Sequence, residues 1–289
     1  MGMVGTVGLV LHPRRDSEMA IGTILDWAKQ RSATVLGLPG EIGRIDCSAV
    51  PVSDEELVDR SDLLVSLGGD GTMLRTLRML VGGPKTPVLG VNLGRLGFLA
   101  EVDVADLPPA LGAIDEHRYH VEPRMAVRAE LAGRPTLTAF NDIAMVRVPG
   151  EGMAEVAVTV AGHPFVRYAA DAVIVATSTG STAYSFSAGG PIVSPAVPAY
   201  LVVPASAHST FNRALVLPAD DTVQLELLPN SGRLAVEMDG VVAGHLKPGD
   251  RVTVTAVPDA AHIVRLGTTT FYERARRKLR LPDSAEVAE

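Results

Sequence analysis

The sequence contains a single cysteine and no long apolar run. Cys47 is the only cysteine among 289 residues, so the chain cannot form an internal disulfide or hold zinc or an iron–sulfur cluster through several thiolates. No apolar stretch reaches the roughly 18 to 20 residues that cross a bilayer, and the N-terminus lacks a charged region followed by a long apolar one. We therefore expect a cytoplasmic protein with no membrane partner.

Positive charge is also scarce. The chain carries 26 Lys and Arg against 33 Asp and Glu, for a formal net charge of −7. A nucleic-acid-binding protein needs a surplus of cations, so we expect no nucleic-acid partner, although small anions can still bind locally. His117 and His120 are the closest pair of histidines, and no third ligand lies near them in the sequence. We therefore predict no metal site built by the protein alone.

The first part of the chain alternates between strand and helix patterns. Short apolar runs at residues 4–11, 33–38, 63–67 and 87–93 have the length and composition of buried strands. Segments with helical spacing of apolar residues separate them, and a last helix is predicted at residues 106–117. This order predicts a parallel sheet with right-handed crossovers, an α/β nucleotide-binding domain spanning residues 1–120.

The pattern changes after residue 120. Apolar and polar residues then alternate along several short segments, which is typical of half-buried strands, and Gly, Pro, Asn and Asp mark turns between them. We predict a mainly antiparallel β domain at residues 121–270. A basic helix within residues 271–289 is expected to return to the first domain. The fold class is therefore α/β plus all-β.

A glycine-rich turn at residues 66–72 lies between a predicted strand and a predicted helix. The first N–H groups of a helix have no internal partner, and glycines would let a phosphate approach them closely. Asp70 would repel a phosphate unless it binds a metal or takes a proton from a hydroxyl, so Asp70 is the candidate catalytic base. The alternative is a tight turn in which Asp70 or Thr72 caps the helix.

Other segments also suggest ligand contact. The two glycines of residues 92–99 suggest that the chain passes close to another group, and the hydroxyls and glycines of residues 177–191 offer donors and acceptors to a ligand, with Tyr184 able to stack on a base. A Ser/Thr-rich surface loop is the alternative for residues 177–191. Arg14 and Arg15, after the first strand, either meet a phosphate or lie in a solvated loop.

Together these segments resemble the NAD kinase family. Residues 68–71 match the family's Gly-Gly-Asp-Gly signature, residues 141–142 its Asn-acid pair, and residues 177–191 its long Thr/Ser/Gly run. Residues 92–99 and 271–279 also look like the family, so the resemblance covers nearly the whole chain. Lipid kinases of the diacylglycerol and sphingosine type share the first signature, whereas the later ones point to NAD kinase.

The resemblance implies a reaction and an architecture. The reaction is transfer of the γ-phosphoryl group of ATP, or a phosphoryl group of polyphosphate, to the adenosine 2′-hydroxyl of NAD to give NADP, with Mg²⁺ accompanying the donor. The active site would lie between the two domains. The family is oligomeric, so we expect a homodimer or homotetramer. The apolar segment 196–207 either contributes to a subunit interface or is a core strand.

The resemblance also implies roles for the residues around the first signature. Asp70 would receive the hydroxyl proton, Gly71 would contact NAD, and Arg75 would supply a nearby cation. The phosphoryl donor would be bound by Gly68, Gly69, Gly71 and Thr72. Such catalysis depends mainly on positioning and electrostatics, so one base and a metal-bound donor are sufficient.

The later signatures would bind the dinucleotide. Asn141 and Asp142 would hold it through hydrogen bonds, and Asp171 would bind the nicotinamide amide or ribose. The adenosine end would be wrapped by Thr182, Ala183, Tyr184, Ser185, Phe186 and Ser187. Asp239, in a predicted Asp-Gly turn, would either contact the acceptor or simply form the turn.

Four places depart from the family pattern, one of them at residues 149–152, where another Arg or Lys is expected after Val148. Ser178 stands where the family usually has proline, Ala172 where it has glycine, and Ala169 where a basic residue is common, with Arg167 close enough to substitute. These departures motivate a non-catalytic dinucleotide-binding regulator as an alternative to an enzyme. A lipid kinase is the alternative enzyme, although a lipid acceptor would not require the dinucleotide-side residues.

Overall fold

The structure, a computed structural model, describes residues 4–45, 47–94, 97–208 and 210–281. It divides into two compact units. Met1–Pro123 and Ala261–Glu289 form the first, here called the parallel unit, and Arg124–Ala260 form the second, here called the antiparallel unit. The segment after residue 260 belongs to the parallel unit because His262 and Ile263 pair with Pro87 and Val88.

The parallel unit contains a parallel sheet with connecting helices. Its elements are β1 (Thr6–Leu11), α1 (Glu18–Gln30), β2 (Thr34–Gly37), α2 (Pro39–Ile42), β3 (Val50–Pro51), α3 (Asp54–Arg60), β4 (Leu63–Gly68), α4 (Asp70–Met79), β5 (Pro87–Asn92), β6 (Val102–Asp103), a 3-10 helix (Val104–Asp106), α5 (Leu107–Asp115), the end of the long strand β18 (Arg251–Arg265), and α7 (Phe271–Leu279). The strand order is β3-β2-β1-β4-β5, and every pair in it is parallel. The predicted α/β fold is confirmed.

Burial explains the composition of these strands. All six residues of β4 and all six of β5 are buried, as expected where helices cover both faces of a parallel sheet. The helical spacing recognised in the sequence produces the apolar face of α1, where Ile21 and Ile24 are buried in the core of this unit. This packing fixes the carboxyl end of β4, where the glycine-rich turn begins.

A buried ion network holds α7 within the parallel unit. The carboxylate of Glu101, which is fully buried, accepts hydrogen bonds from Arg265 at 2.9 Å and from Arg274 of α7. Thr270 and Glu273 form a capping box that starts the helix. The basic helix predicted from the sequence is therefore α7, while residues 282–289 lie outside the described residues.

The antiparallel unit is built almost wholly of strands. Its elements are β7 (His120–Leu131), β8 (Leu137–Ala139), β9 (Asp142–Arg147), β10 (Ala154–Val160), β11 (His163–Ala170), β12 (Ala172–Thr177), a 3-10 helix (Thr179–Thr182), α6 (Tyr184–Ser187), β13 (Ala199–Ala205), β14 (Leu215–Pro218), β15 (Val223–Leu227), β16 (Leu234–Met238), β17 (Val241–Leu246) and the first part of β18. One six-stranded sheet has the order β14-β13-β12-β9-β16-β17. A second group of antiparallel strands has the order β11-β10-β15-β18.

The alternating pattern has its expected meaning in this unit. Val156 and Val158 of β10 are buried, whereas Ala157 and Thr159 between them are half-buried. The predicted antiparallel β fold is therefore confirmed. Every residue of β13 is buried, so the apolar segment 196–207 contains a core strand. Within the described ranges, no helix has both the length and the apolar character needed to cross a bilayer.

Candidate active site

The glycine-rich turn joins β4 directly to α4. Gly69 is the N-cap residue of α4, and no side chain caps the helix. The interpretation in which Asp70 or Thr72 acts as the cap is therefore wrong. The side chain of Thr72 packs on the backbone of Gly68, where a Cβ would lie 2.1 Å from Oγ1 of Thr72. An N-terminus without a side-chain cap leaves backbone N–H groups available to an anion.

The second glycine-rich segment holds the carboxylate of Asp70. The N–H of Phe98 donates to Oδ2 of Asp70 and the N–H of Leu99 donates to Oδ1, each at 3.0 Å. Gly97 passes so close that a Cβ there would lie 2.0 Å from Oδ1. The carboxylate thus has a fixed orientation and keeps further lone pairs for a substrate proton. Residues 95 and 96 of this segment lie outside the described residues.

A cavity of about 560 Å³ adjoins Asp70 within the parallel unit, and we call it the cation-lined cavity. Its lining residues are His12, Pro13, Arg15, Gly69, Asp70, Gly71, Thr72, Arg75, Arg78, Gly97 and Lys278. Four of these side chains are cationic and one is a carboxylate. Arginine and lysine provide the charge and the N–H donors that phosphate oxygens need, so the cavity suits a polyphosphate.

Arg75 is fixed in this cavity by neighbouring groups. Its Nη1 lies 2.5 Å from a carboxylate oxygen of Glu41, and its Nη2 donates to the carbonyl of Leu11 at 2.8 Å. Glu41 also accepts the N–H of Leu11 at 2.6 Å. This closed network links α4 to the end of β1 and holds the guanidinium one turn after Asp70.

The turn after β1 forms another wall of the cavity. Nδ1 of His12 accepts the backbone N–H groups of Arg14 and Arg15, each at 3.0 Å. Arg44 donates to the carbonyls of His12, at 3.1 Å, and of Pro13. Partial burial and the surrounding arginines lower the pKa of His12 below 6.5, so the imidazole is neutral at neutral pH.

In the antiparallel unit, three sequence segments converge on the Asn141–Asp142 pair. The carboxylate of Asp239 accepts the N–H of Asn141 at 2.7 Å and that of Asp142 at 3.3 Å. The N–H of Thr177 donates to the carbonyl of Asn141 at 2.8 Å, and a Cβ on Gly180 would lie 2.0 Å from that same oxygen. The second and third signatures therefore form one tightly packed loop cluster, in which Asp239 satisfies backbone groups.

Asp142 lies in an acidic and buried environment. Only 4% of the residue is exposed. Burial, together with the nearby carboxylates of Asp239 and Glu237, raises the pKa of Asp142 to about 7, although a hydrogen bond from the N–H of Tyr184 acts in the opposite direction. Near neutral pH the side chain is partly protonated, so it can accept a hydrogen bond from a hydroxyl or donate one.

The remaining dinucleotide-side candidates lie nearby in sequence. Thr182 ends the 3-10 helix, Ala183 follows it, and the rest form α6. Ser185 is fully buried, and its hydroxyl has no hydrogen-bond partner among the described residues. Phe186 and Ser187 are exposed, whereas Tyr184 is half-buried. Burial raises the pKa of Tyr184, as do the carboxylates of Glu237, Asp142 and Asp171.

Asp171 does not have a free carboxylate. It lies 2.5 Å from Nε of Arg147, and about two-fifths of each side chain is exposed. The departures from the family pattern at Ala172 and Ser178 fall on buried positions, with 0% and 2% exposure. Neither side chain faces solvent.

Several residues of these sites were not identified from the sequence. Arg78 lies three residues after Arg75 on α4, a spacing that places both on one helix face and was a usable signal. Lys278 belongs to the predicted basic helix, although nothing in the sequence links it to this cavity, and no local pattern marks Glu237. His12 directly follows β1, and its role depends on contacts that only the fold creates.

Comparisons with known proteins agree with these features. The sequence profile of the ATP-NAD kinase N-terminal domain matches residues 28–119, and that of the ATP-NAD kinase C-terminal domain matches residues 140–266. The chain is 40% identical to an NAD kinase of Heliobacterium modesticaldum, over 95% of this chain and 98% of that protein. It is 36% identical to NAD kinase 1 of Streptomyces avermitilis, over 99% and 90% respectively.

Two solved structures share the fold. The crystal structure of yeast NADH kinase complexed with NADH matches with a TM-score of 0.85 and 26% identity, over 97% of this chain and 89% of that one. An NAD kinase from Archaeoglobus fulgidus in complex with ATP matches with a TM-score of 0.74 and 25% identity, over 95% and 98%. With both family profiles matched and relatives aligned over nearly its whole length, the chain belongs to the NAD kinase family.

Proposed function

We propose that this protein transfers the γ-phosphoryl group of ATP to the adenosine 2′-hydroxyl of NAD, giving NADP and ADP. The observation that carries the proposal is the carboxylate of Asp70, held by two backbone N–H groups beside the cation-lined cavity and the uncapped N-terminus of α4. The yeast relative bound to NADH and the Archaeoglobus relative bound to ATP support the same pair of substrates.

The chemistry assigns one role to Asp70. The 2′-oxygen attacks the γ-phosphorus while the O–H proton passes to the carboxylate of Asp70. A new oxygen–phosphorus bond forms, and the bond from the γ-phosphorus to the β–γ bridging oxygen breaks, so that ADP leaves. Gly71 contacts NAD, and Arg75, fixed by Glu41, stabilises the charge that develops on the transferred group.

The parallel unit binds the phosphoryl donor in this proposal. The backbone of Gly69, Gly71 and Thr72 lines the cavity and meets the donor phosphates. Gly68 contributes by making room for the side chain of Thr72. Polyphosphate would fit the same cations and is an alternative donor.

The cavity also fits a magnesium ion that arrives with the donor. Asp70 is the one carboxylate among its lining residues, and no group of three His, Cys, Asp or Glu that could hold a metal occurs in the described ranges. The donor phosphates would therefore supply most of the ligands of the ion, and Asp70 lies in the same cavity. When bound, Mg²⁺ neutralises phosphate charge.

The antiparallel unit binds NAD in this proposal. Asn141 and Asp142 supply hydrogen-bonding groups that are rigidly held by Asp239 and Thr177. Residues 182–187 bind the adenosine end, with Tyr184 packing on it, and Asp171 binds the nicotinamide amide or ribose. Carboxylates and amides suit the ribose hydroxyls of a dinucleotide.

The test is NADP formation from NAD, ATP and Mg²⁺ by the purified protein and by Asp70→Asn. We expect the variant to lose about 10²- to 10⁴-fold in kcat while keeping its affinity for NAD, because Asn cannot take the proton. Asp59→Asn, at an exposed position of α3, is the matched control and should retain full activity. Affinity is measured by calorimetry with NAD alone.

Two results would overturn the proposal. If the wild type binds NAD but forms no NADP, the protein is a dinucleotide-binding regulator, and Ser178, Ala172 and Ala169 become the positions to restore. If it phosphorylates a diacylglycerol or sphingosine instead, it is a lipid kinase. We further propose that the protein is cytoplasmic and forms a homo-oligomer. Light scattering on the purified protein tests the oligomeric state.

A further inference from the structure

His12 lies at the wall of the cation-lined cavity, and the proposed reaction assigns it no role. Nδ1 accepts two backbone N–H groups, so Nδ1 carries no proton and the neutral ring carries its proton on Nε2. No described residue forms a hydrogen bond with Nε2. The cavity therefore contains an N–H donor whose tautomer is fixed by the backbone.

The position of the imidazole is fixed as well. The backbone N–H of His12 donates to the carbonyl of Leu67 at 2.8 Å, at the start of the glycine-rich turn. Arg44 donates hydrogen bonds to the carbonyls of His12 and Pro13. The ring thus has little freedom to turn away from the cavity.

The same turn places Arg15 beside the cavity. A Cβ on Gly94 would lie 2.6 Å from Nη1 of Arg15, so the guanidinium packs on the backbone of that glycine. Because Nδ1 of His12 accepts the N–H of Arg15, the imidazole also sets the direction in which this arginine leaves the backbone.

The charges around the ring keep it neutral. Arg14, Arg15, Arg44 and Arg75 all disfavour protonation, while Glu41 is occupied by Arg75 and Asp70 by backbone N–H groups. A neutral imidazole can donate its N–H to a phosphate oxygen without competing with Asp70 for the substrate proton. It also leaves Nδ1 free to accept the hydrogen bonds that hold the turn.

We propose that His12 binds the phosphoryl donor: its Nε2–H donates to a non-bridging oxygen of the donor polyphosphate, while its Nδ1 holds Arg15 at the cavity wall. The inference rests on the proposed function and adds a residue to the donor site.

His12→Asn separates the two halves of this role. The amide oxygen of Asn can replace Nδ1 as the acceptor for the turn, as Asn side chains commonly do two residues ahead, but Asn has no donor at the Nε2 position. We expect KM for ATP to rise about tenfold, with KM for NAD and the melting temperature unchanged, because one hydrogen bond to a charged group is lost. His163→Asn, at an exposed position of the antiparallel unit, is the matched control.

His12→Gln makes the reverse change. Its amide can donate near the Nε2 position, whereas the short-range acceptor for the turn is lost. We expect His12→Gln to restore part of the hydrogen bond to the phosphoryl donor. Its KM for ATP should therefore be lower than that of His12→Asn, both at low pH and at neutral pH. If KM for ATP and KM for NAD rise equally in His12→Asn, or if its melting temperature falls, the role of His12 is purely structural and the proposal is overturned.

A spectroscopic readout needs no turnover. In protein labelled with ¹⁵N-histidine at pH 7.5, the His12 resonances, assigned by their loss in His12→Asn, should show an unprotonated Nδ1 and a protonated Nε2. Inorganic tripolyphosphate, added without NAD, should shift Nε2–H. A protonated Nδ1, or an Nε2–H that does not move at saturating tripolyphosphate, would overturn the proposal.

The two proposals fail in distinguishable ways. If the wild type forms no NADP but tripolyphosphate shifts the His12 resonance, the kinase assignment fails and the phosphate contact stands. If NADP forms and His12→Asn leaves KM for ATP unchanged, the kinase stands and the role of His12 is refuted.

Discussion

The two units place a titratable side chain in opposite electrostatic surroundings. In the parallel unit, partial burial and four arginines lower the pKa of His12. In the antiparallel unit, burial and two carboxylates raise the pKa of Asp142 to about 7. Each side chain is pushed towards its neutral form by neighbours of the same sign as its own charged form.

The difference agrees with the proposal that the parallel unit binds the donor phosphates and the antiparallel unit binds NAD. A surplus of cations is stable beside bound phosphates, which neutralise it. A surplus of carboxylates is stable beside hydroxyls and amides, which donate hydrogen bonds to it. Like charges therefore lie close together in both units, cations in the parallel unit and carboxylates in the antiparallel unit, and each group suits a different part of a ligand.

The largest expected effect comes from removing the charge of Asp142. Between about pH 4 and pH 7 the folded state binds a proton that the unfolded chain has released, so wild-type stability falls as pH rises through this window. Asp142→Asn keeps the shape and abolishes the titration. We expect the variant to be more stable than wild type by about 4 kcal/mol at pH 8, and equally stable near pH 4.

Urea denaturation at several pH values measures this effect. Asp220→Asn, which changes an exposed carboxylate of the same unit, is the control and should follow the wild-type profile. Parallel pH profiles for wild type and Asp142→Asn would mean that the pKa of Asp142 is not raised in solution. The contrast between the two units would then disappear.

The fold followed from the sequence where elements were long and periodic. β4 and α4 were predicted because a short apolar run is followed by helical spacing, and β10 because its valines alternate with polar residues. The two-residue strands β3 and β6 were missed, since periodicity has no meaning over such lengths. The helix α6 was missed because residues 184–187 show no apolar stripe.

The site followed from the sequence only in part. Asp70 was identified because a carboxylate beside phosphates needs a chemical reason, and the glycines of residues 92–99 correctly indicated a close approach. Gly97 approaches Asp70 and Gly94 approaches Arg15, and no local pattern reveals such distant pairings. The pKa of Asp142 likewise depends on Asp239 and Glu237, which only the fold brings near.

Gly97→Ala breaks the arrangement in the parallel unit without adding charge. The new Cβ would lie 2.0 Å from Oδ1 of Asp70, so the carboxylate must move. A displacement of about 1 Å at the reacting group costs about 10²-fold, so we expect kcat for NADP formation to fall by about that factor, with KM for NAD little changed. Steady-state kinetics and circular dichroism measure the activity and the fold.

Gly22→Ala is the matched control for Gly97→Ala. Gly22 lies within α1, where an added Cβ meets nothing within 4 Å. The control should keep full activity and gain roughly 0.5 to 1 kcal/mol of stability, because alanine favours helix. Wild-type kcat in Gly97→Ala would show that the position of Asp70 does not limit the reaction.

The smallest expected effect concerns Arg147, the cation that neutralises Asp171 in the otherwise acidic surroundings of Tyr184. Since both partners are about two-fifths exposed, Arg147→Gln should change stability by less than about 1 kcal/mol. The released carboxylate would attract the positively charged nicotinamide of NAD more than the neutral ring of NADH. We expect KM for NAD to fall about twofold relative to KM for NADH at low salt, and the difference to shrink as ionic strength rises. Equal changes for the two dinucleotides would place Asp171 away from the nicotinamide, and the acidity of the antiparallel unit would then serve the ribose hydroxyls alone.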